Sequence, residues 1–156
     1  MGRSPLPEKI QNKVRARAKG LCEYCHGVEL WQYVRFTIDH VIPQARSGSD
    51  DVENLALACF HCNHKKSSFV TGADLLSGAE VRLFNPRCDR WTDHFVWAED
   101  GVILVGLTEI GRATIARLDM NRERVLLIRQ ADRDVGRHPP KLDRLLGDSG
   151  TSDDRV

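Results

Sequence analysis

Residues 38–66 have the sequence IDHVIPQARSGSDDVENLALACFHCNHKK. The β-branched and aromatic residues at 34–38 predict a strand that ends at Asp39 and His40. A proline and a polar run rich in Gly, Ser and Asp follow, and they predict a long loop. A second short strand is predicted at residues 55–58, and the C-x-x-C pair after it is expected to open a helix. The predicted order is therefore strand, long loop, strand and helix.

Four of the five cysteines form two C-x-x-C pairs, one before this stretch and one near its end, with 33 residues between the pairs. No secretory signal or long apolar run is recognisable, so we expect a cytoplasmic protein without a membrane association and with reduced thiols. A thioredoxin-like redox motif would need a single pair in a βαβ context. Paired C-x-x-C knuckles are instead typical of a tetrahedral zinc site. We therefore predict a structural Zn²⁺ ion bound by Cys22, Cys25, Cys59 and Cys62, with Cys88 as an inert structural thiol.

The first twenty residues predict a basic helix that begins near Pro7 and Glu8 and ends at Gly20. They contain six basic residues, with Glu8 as the one acidic residue. Such a face could bind phosphates, with Lys13 and Arg17 as the candidate contacts. Charge alone favours a solvated helix face instead, and the net charge of +1 decides neither way.

The second half of the chain predicts smaller elements. Residues 71–78 suggest a short helical turn and residues 81–87 a short extended piece. Two apolar runs around Glu99, Asp100 and Gly101 predict a hairpin. Thr108 is a plausible N-cap for a helix to about Leu118, and Asn121 for another to about Gln130.

The chain is long enough for one hydrophobic core. We expect an α+β fold in three parts: the N-terminal helix and zinc-clamped core at 1–69, an accessory hairpin and helices packed on it at 70–146, and a disordered tail at 147–156.

The segment from about residue 20 to residue 67 strongly resembles the HNH, or ββα-metal, nuclease family. Asp39 and His40 end a strand, Asn54 follows His40 by fourteen residues, and Asn63 follows Asn54 by nine. The hexapeptide DHVIPQ with these offsets is also similar to the HNH domain of RNA-guided CRISPR nucleases. The paired zinc knuckles resemble those of smaller, stand-alone bacterial members. LFNPR, HFVW and GLTEIGRATIARLDMNR resemble, more weakly, the tails of small bacterial HNH proteins.

The resemblance implies a nuclease site, and the chemistry of the residues agrees with it. His40 suits a general base, because an imidazole titrates near neutral pH. Asp39 and Asn63 offer the hard oxygen ligands that a catalytic Mg²⁺ or Mn²⁺ ion prefers. Asn54, in the family, bonds the loop backbone and keeps His40 in register; a simple turn residue is the alternative.

Other residues compete for some of these roles. His64 competes with Asn63 as metal ligand, although it lies about 100° away around a helix. His26 and His61 could replace a cysteine, but four cysteines already complete a tetrahedron. Lys65 and Lys66 follow the metal residues and could contact phosphate; an exposed basic pair is the alternative.

The sequence as a whole predicts a metal-dependent endonuclease that hydrolyses DNA. A non-catalytic zinc-ribbon module that binds nucleic acid or protein is the alternative from another class, and such a module would not need Asp39, His40 and Asn63 together. RNA is the alternative substrate, since the motif reflects phosphate chemistry and not the sugar. The sequence predicts no oligomeric state.

Overall fold

The structure is a computed structural model that describes residues 4–141 and residue 143. The predicted tail at 147–156, and the last residues of the predicted accessory part at 144–146, lie outside the described residues. None of the described helices combines the length and apolar character that would be needed to cross a lipid bilayer.

Helix α1 (Glu8–Ala18) is the predicted basic N-terminal helix. Val14 and Ala18 are buried on one of its faces, which packs on the second strand of the chain. Lys19 at its C-cap (φ 53°) and Gly20 (φ 76°) both adopt left-handed conformations. Two consecutive left-handed residues cannot continue a right-handed helix, so the helix ends at Ala18, and its C-cap lies one residue before the predicted cap at Gly20.

Strands β1 (Thr37–His40) and β2 (Leu55–Ala58) form an antiparallel pair in which Asp39 lies opposite Ala56 and His40 opposite Leu55. Helix α2 (Phe60–Lys66) follows directly, so the predicted order is confirmed. The prediction that β1 starts at residue 34 is wrong. The Phe36 backbone N–H donates to the Glu29 carboxylate (2.7 Å), and this side-chain contact takes the place of a strand contact.

The second half begins with a hairpin that the sequence did not predict, between β3 (Thr71–Ala73) and β4 (Glu80–Arg82). Its turn is built by the Asp74 carboxylate, which accepts hydrogen bonds from the backbone N–H groups of Leu76 (3.1 Å) and Ser77 (3.3 Å). The Gly78 N–H also donates to Asp74 O (2.7 Å), so the expected helical turn within 71–78 is present as a single α-turn, and it forms the loop of the hairpin. An aspartate that binds backbone groups two and three residues ahead makes a turn that serves a hairpin equally well.

The remaining elements are α3 (Trp91–His94), β5 (Phe95–Trp97), β6 (Leu104–Gly106), α4 (Glu109–Leu118) and α5 (Glu123–Asp134). Strands β5 and β6 form the predicted hairpin. Thr108 caps α4 as predicted, because its hydroxyl accepts from the Gly111 N–H (3.0 Å). The predicted cap at Asn121 is wrong: the Asn121 amide instead bonds both backbone groups of Leu104, and Arg122 precedes α5.

A single cluster of buried side chains joins both halves of the chain. It includes residues of α1, β2, β5, β6 and α4, and Leu55, Leu57, Phe95, Leu104 and Leu118 are among its members. The ββα unit is therefore supported on a shared core.

Candidate functional site

The four paired cysteines converge on one point. The first pair follows α1, and the second lies where β2 passes into α2. All four sulfur atoms lie within 4.8 Å of one another, and Cys25 Sγ is 3.9 Å from Cys59 Sγ. Four sulfurs at about 2.3 Å from a tetrahedral zinc ion are about 3.8 Å apart, so the cluster fits Zn²⁺.

The first knuckle is held against β2 by Glu23, the residue after Cys22. Its backbone N–H donates to Leu57 O (2.8 Å), and its carboxylate accepts from the Leu57 N–H (2.7 Å). Hydrogen bonds with the other cysteines hold the pKa of Cys25 well below its usual range, and the bond with Cys22 contributes most. Burial raises the pKa of Cys22. The knuckles therefore bring α1 and the ββα unit together in a fixed relation.

Asp39 lies inside the protein and has its own counter-ion. Only 5% of it is exposed, and its Oδ2 accepts from the Tyr24 hydroxyl (2.6 Å) and lies 3.1 Å from Lys66 Nζ. Burial raises the pKa of the Asp39 carboxyl, and the Lys66 ammonium and the Tyr24 hydroxyl act in the opposite direction. Its Oδ1 is 3.4 Å from Lys66 Nζ, a long contact.

His40 is half-buried at the end of β1, and its ring faces the following loop. Its Nε2 lies 2.8 Å from Asp50 Oδ1, and Gln44 donates to the same carboxylate oxygen (3.1 Å). Gln44 Nε2 also lies 3.1 Å from His40 Nε2. An ionised carboxylate accepts and does not donate, so in the neutral tautomer that donates to Asp50 the ring proton is on Nε2. The Nδ1 lone pair is then the one that can accept a proton.

Asn54 fastens this loop to the end of β1. Its Oδ1 accepts from the Ile42 N–H (2.8 Å), and its Nδ2 donates to Ile42 O (3.0 Å) and Ser49 O (2.9 Å). The loop is so tight that a Cβ at Gly48 would lie 1.7 Å from Ile42 O. The loop that carries Asp50 to His40 therefore has little freedom.

Helix α2 distributes its polar residues over different faces. Asn63 is half-buried, whereas His64 is exposed and stacks on Phe60 with ring centroids 5.9 Å apart. Lys65 is exposed, 4.0 Å from an Asp119 carboxylate oxygen.

Lys66, by contrast, is only 1% exposed, and its ammonium donates to His40 O (3.0 Å) as well as contacting Asp39. The structure thus places Lys66 inside the site, away from the exposed surface where a phosphate contact was expected. It lies one helical turn after the buried zinc ligand Cys62, so both share the inner face of α2.

The family model of HNH endonucleases matches residues 22–69, from the first zinc knuckle to just beyond α2. This matched segment of 48 residues is called the HNH domain below. No curated protein matches the chain. The family match indicates nuclease activity in general.

The hard oxygen donors that the sequence predicts for a second ion are the carboxylate of Asp39 and the amide of Asn63. Among the described residues, the four cysteines are the one group of three or more His, Cys, Asp or Glu side chains placed to bind a metal. A catalytic ion would therefore depend on one carboxylate with neutral donors. Of the two Asp39 oxygens, Oδ1 has the longer contact with Lys66 Nζ, 3.4 Å against 3.1 Å for Oδ2.

The two basic candidates on α1 lie in different environments. Lys13 is exposed. Arg17 donates from both terminal nitrogens to backbone oxygens of the HNH domain, those of Val52 (2.9 Å) and Leu55 (2.6 Å). The Arg17 guanidinium thus contacts the entry to β2.

Sequence reasoning missed three residues of the site: Tyr24, Gln44 and Asp50. It named Lys66, but as an exposed phosphate contact and not as the buried partner of Asp39. Tyr24 lies between the two cysteines of the first knuckle, a position that is normally assigned to the zinc loop. The useful signal for Lys66 was its spacing of four residues from Cys62.

Proposed function

We propose that the chain is a metal-dependent endonuclease that hydrolyses DNA phosphodiester bonds, with His40 as general base and one divalent ion, Mg²⁺ or Mn²⁺, bound by Asp39 and Asn63. The observation that carries the proposal is the joint anchoring of Asp39 and His40. The Lys66 ammonium contacts the side chain of the first and the backbone oxygen of the second. A zinc module without catalysis has no evident need for this buried cation.

The residues divide the chemical work. Asp50 fixes the His40 ring through Nε2 and leaves Nδ1 to accept the proton of an attacking water. Asn54 holds the loop that carries Asp50. Tyr24 and Lys66 hold the Asp39 carboxylate in one orientation. A divalent ion, when bound, would stabilise the charge that develops on the phosphate and the departing oxygen.

Family resemblance implies products with 5′-phosphate and 3′-hydroxyl ends. The same proposal includes Zn²⁺ in the cysteine cluster and a cytoplasmic location, where thiols remain reduced. Exposed Lys65 and Lys13 are proposed phosphate contacts, and Arg17 and Lys66 are proposed to act on the site from within.

The decisive experiment is plasmid nicking in Mg²⁺ or Mn²⁺ with wild-type protein and His40→Ala. General-base catalysis contributes about 10²- to 10⁴-fold, so His40→Ala should lower the rate at least a hundredfold, with unchanged zinc content. His64→Ala is the matched control, and it should retain wild-type activity if Asn63 and not His64 is the ligand. Wild-type nicking by His40→Ala would refute the mechanism, and equal cleavage of RNA oligonucleotides would broaden the substrate.

A further inference from the structure

A groove lies beside the zinc cluster, between the loop at residues 28–34, the start of α2, and α5. It has a volume of about 250 Å³. Cys25 and Cys59 are among its lining residues, so the groove adjoins the zinc cluster. The zinc site does not account for the other residues that line its walls.

The walls carry most of the exposed aromatic surface of the described part of the chain. Tyr33 is fully exposed, Phe60 is 62% exposed and Trp31 is 46% exposed, and all three line the groove. Phe69 is the other aromatic residue among the exposed large apolar side chains of this described part. Exposed aromatic rings that surround one groove indicate a ligand with flat faces.

The same walls are positively charged. Three arginines line the groove, against one carboxylate from Asp132; they are Arg122, Arg129 and Arg137. The Arg137 guanidinium lies over the Trp31 ring, 4.1 Å from its centroid. Arg129 is buried and donates to backbone oxygens, among them Met120 O (2.8 Å). Arg122 and Arg137 are therefore the cations left to meet an anion in the groove.

We infer that this groove binds unpaired nucleotides of a DNA strand, with bases stacked on Tyr33, Trp31 and Phe60 and phosphates facing Arg122 and Arg137. Positive grooves interleaved with aromatic rings are the usual means of binding single strands. Phe60 is the first residue of α2, and Asn63 lies three residues later on the same helix. A strand that stacks on Phe60 would therefore lie about one helical turn from Asn63 and so near the proposed nuclease site. This part of the inference rests on the proposed function.

The test is fluorescence anisotropy of labelled oligo(dT) and of a blunt DNA duplex, with zinc-loaded protein in buffer without Mg²⁺. We expect oligo(dT) to bind more tightly than the duplex. Tyr33→Ala should weaken oligo(dT) binding about tenfold, because one stacked base is lost. Arg122→Ala should lower the slope of log K against log salt by about 0.7, the value for one phosphate on a single strand.

Two control variants match these changes. Phe69→Ala removes an exposed aromatic ring outside the groove, and Arg124→Ala removes an exposed arginine of α5 that does not line it. Both should bind oligo(dT) as the wild type does. Since Tyr33 is fully exposed, its removal costs no packing, and a circular dichroism spectrum checks the fold.

Three results would overturn the inference: no binding of oligo(dT) by the wild type, equal losses in Tyr33→Ala and Phe69→Ala, or a dimer in sedimentation that Tyr33→Ala dissociates. The last would make the groove an interface between two copies. Plasmid nicking separates this inference from the nuclease proposal. Nicking that depends on His40 without strand binding refutes only the groove, and strand binding without nicking refutes only the nuclease.

Discussion

Helix α2 connects two side-chain clusters of opposite design. At its start lies the cysteine cluster, in which four like ligands complete a tetrahedron and leave no position for substrate. At its end lies the Asp39 cluster, in which one carboxylate contacts a buried lysine and accepts a hydrogen bond from a tyrosine hydroxyl. We call the cysteine cluster closed, and we assign it to folding. We call the Asp39 cluster incomplete, and it belongs to the proposed catalytic site. Only seven residues of helix join them, so the position of Asn63 and Lys66 depends on the zinc knuckles.

The largest expected effect comes from breaking the closed cluster. Cys59→Ser removes a zinc ligand that also caps α2, since Cys59 Sγ accepts from the Cys62 N–H (3.4 Å). Structural zinc ions in small domains contribute about 10–16 kcal/mol of binding free energy. We therefore expect loss of zinc and of cooperative unfolding, measured by metal analysis and by urea titration followed by circular dichroism.

Cys88→Ser is the matched control for this experiment. Cys88 is exposed, contrary to the expectation of a structural thiol, and it lies outside the cluster. The variant should keep its zinc and unfold like the wild type. A folded, zinc-free Cys59→Ser protein would contradict the folding role of the closed cluster.

The next effect tests whether the incomplete cluster also stabilises the fold. Lys66→Met would leave the Asp39 carboxylate buried without its cation, and breaking a buried ion pair costs about 3–5 kcal/mol. The double variant Asp39→Asn with Lys66→Met removes both charges and should recover much of that loss, because two buried neutral side chains carry no desolvation penalty for charge. Urea unfolding of the single and double variants measures the coupling.

Lys65→Met is the neighbouring control for the ion pair. Lys65 is exposed, so its substitution should change the free energy of unfolding by less than about 0.5 kcal/mol. If the double variant is no more stable than Lys66→Met alone, the two charges are not coupled, and the Asp39–Lys66 contact does not stabilise the fold as a buried ion pair.

The two clusters also differ in how far the sequence predicts them. Residue type and spacing are sufficient for the zinc ligands, because a C-x-x-C knuckle forms one local turn. The spacing of the motif predicts Asp39, His40, Asn54 and Asn63 as candidates. The residues that hold Asp39 come from other parts of the sequence: Tyr24 lies in the first knuckle, and Lys66 lies on the inner face of α2.

The same limit applies to the fold. Thr108 predicts its helix start because a cap is a local contact, whereas Asn121, of similar chemistry, bonds the backbone of Leu104 instead. The β3–β4 hairpin was missed because its loop contains a helical turn, in which the Gly78 N–H donates to Asp74 O (2.7 Å), whereas β5 and β6, strands of the same length, flank an Asp-Gly turn. A contact over seventeen residues, which pattern reasoning does not provide, decides the case of Asn121, whereas the other two cases depend on local contacts.

The smallest expected effect lies outside both clusters, in the β3–β4 turn. Asp74 is buried, and two nitrogens of the Arg112 guanidinium lie 2.9 Å from its two oxygens. This contact, with help from Ser77, holds the pKa of Asp74 below its usual range.

A depressed carboxyl pKa stabilises the fold above the unfolded value of about 3.9, and the contribution is lost as the pH falls through the folded value. Asp74→Asn should therefore destabilise the protein at neutral pH, and its difference from the wild type should shrink as the pH falls below about 4. Because acid also protonates the zinc ligands of both proteins, the measured quantity is this difference in free energy of unfolding at each pH. A difference that is constant from pH 7 to the most acidic folded sample would show that the Asp74 charge does not stabilise the turn.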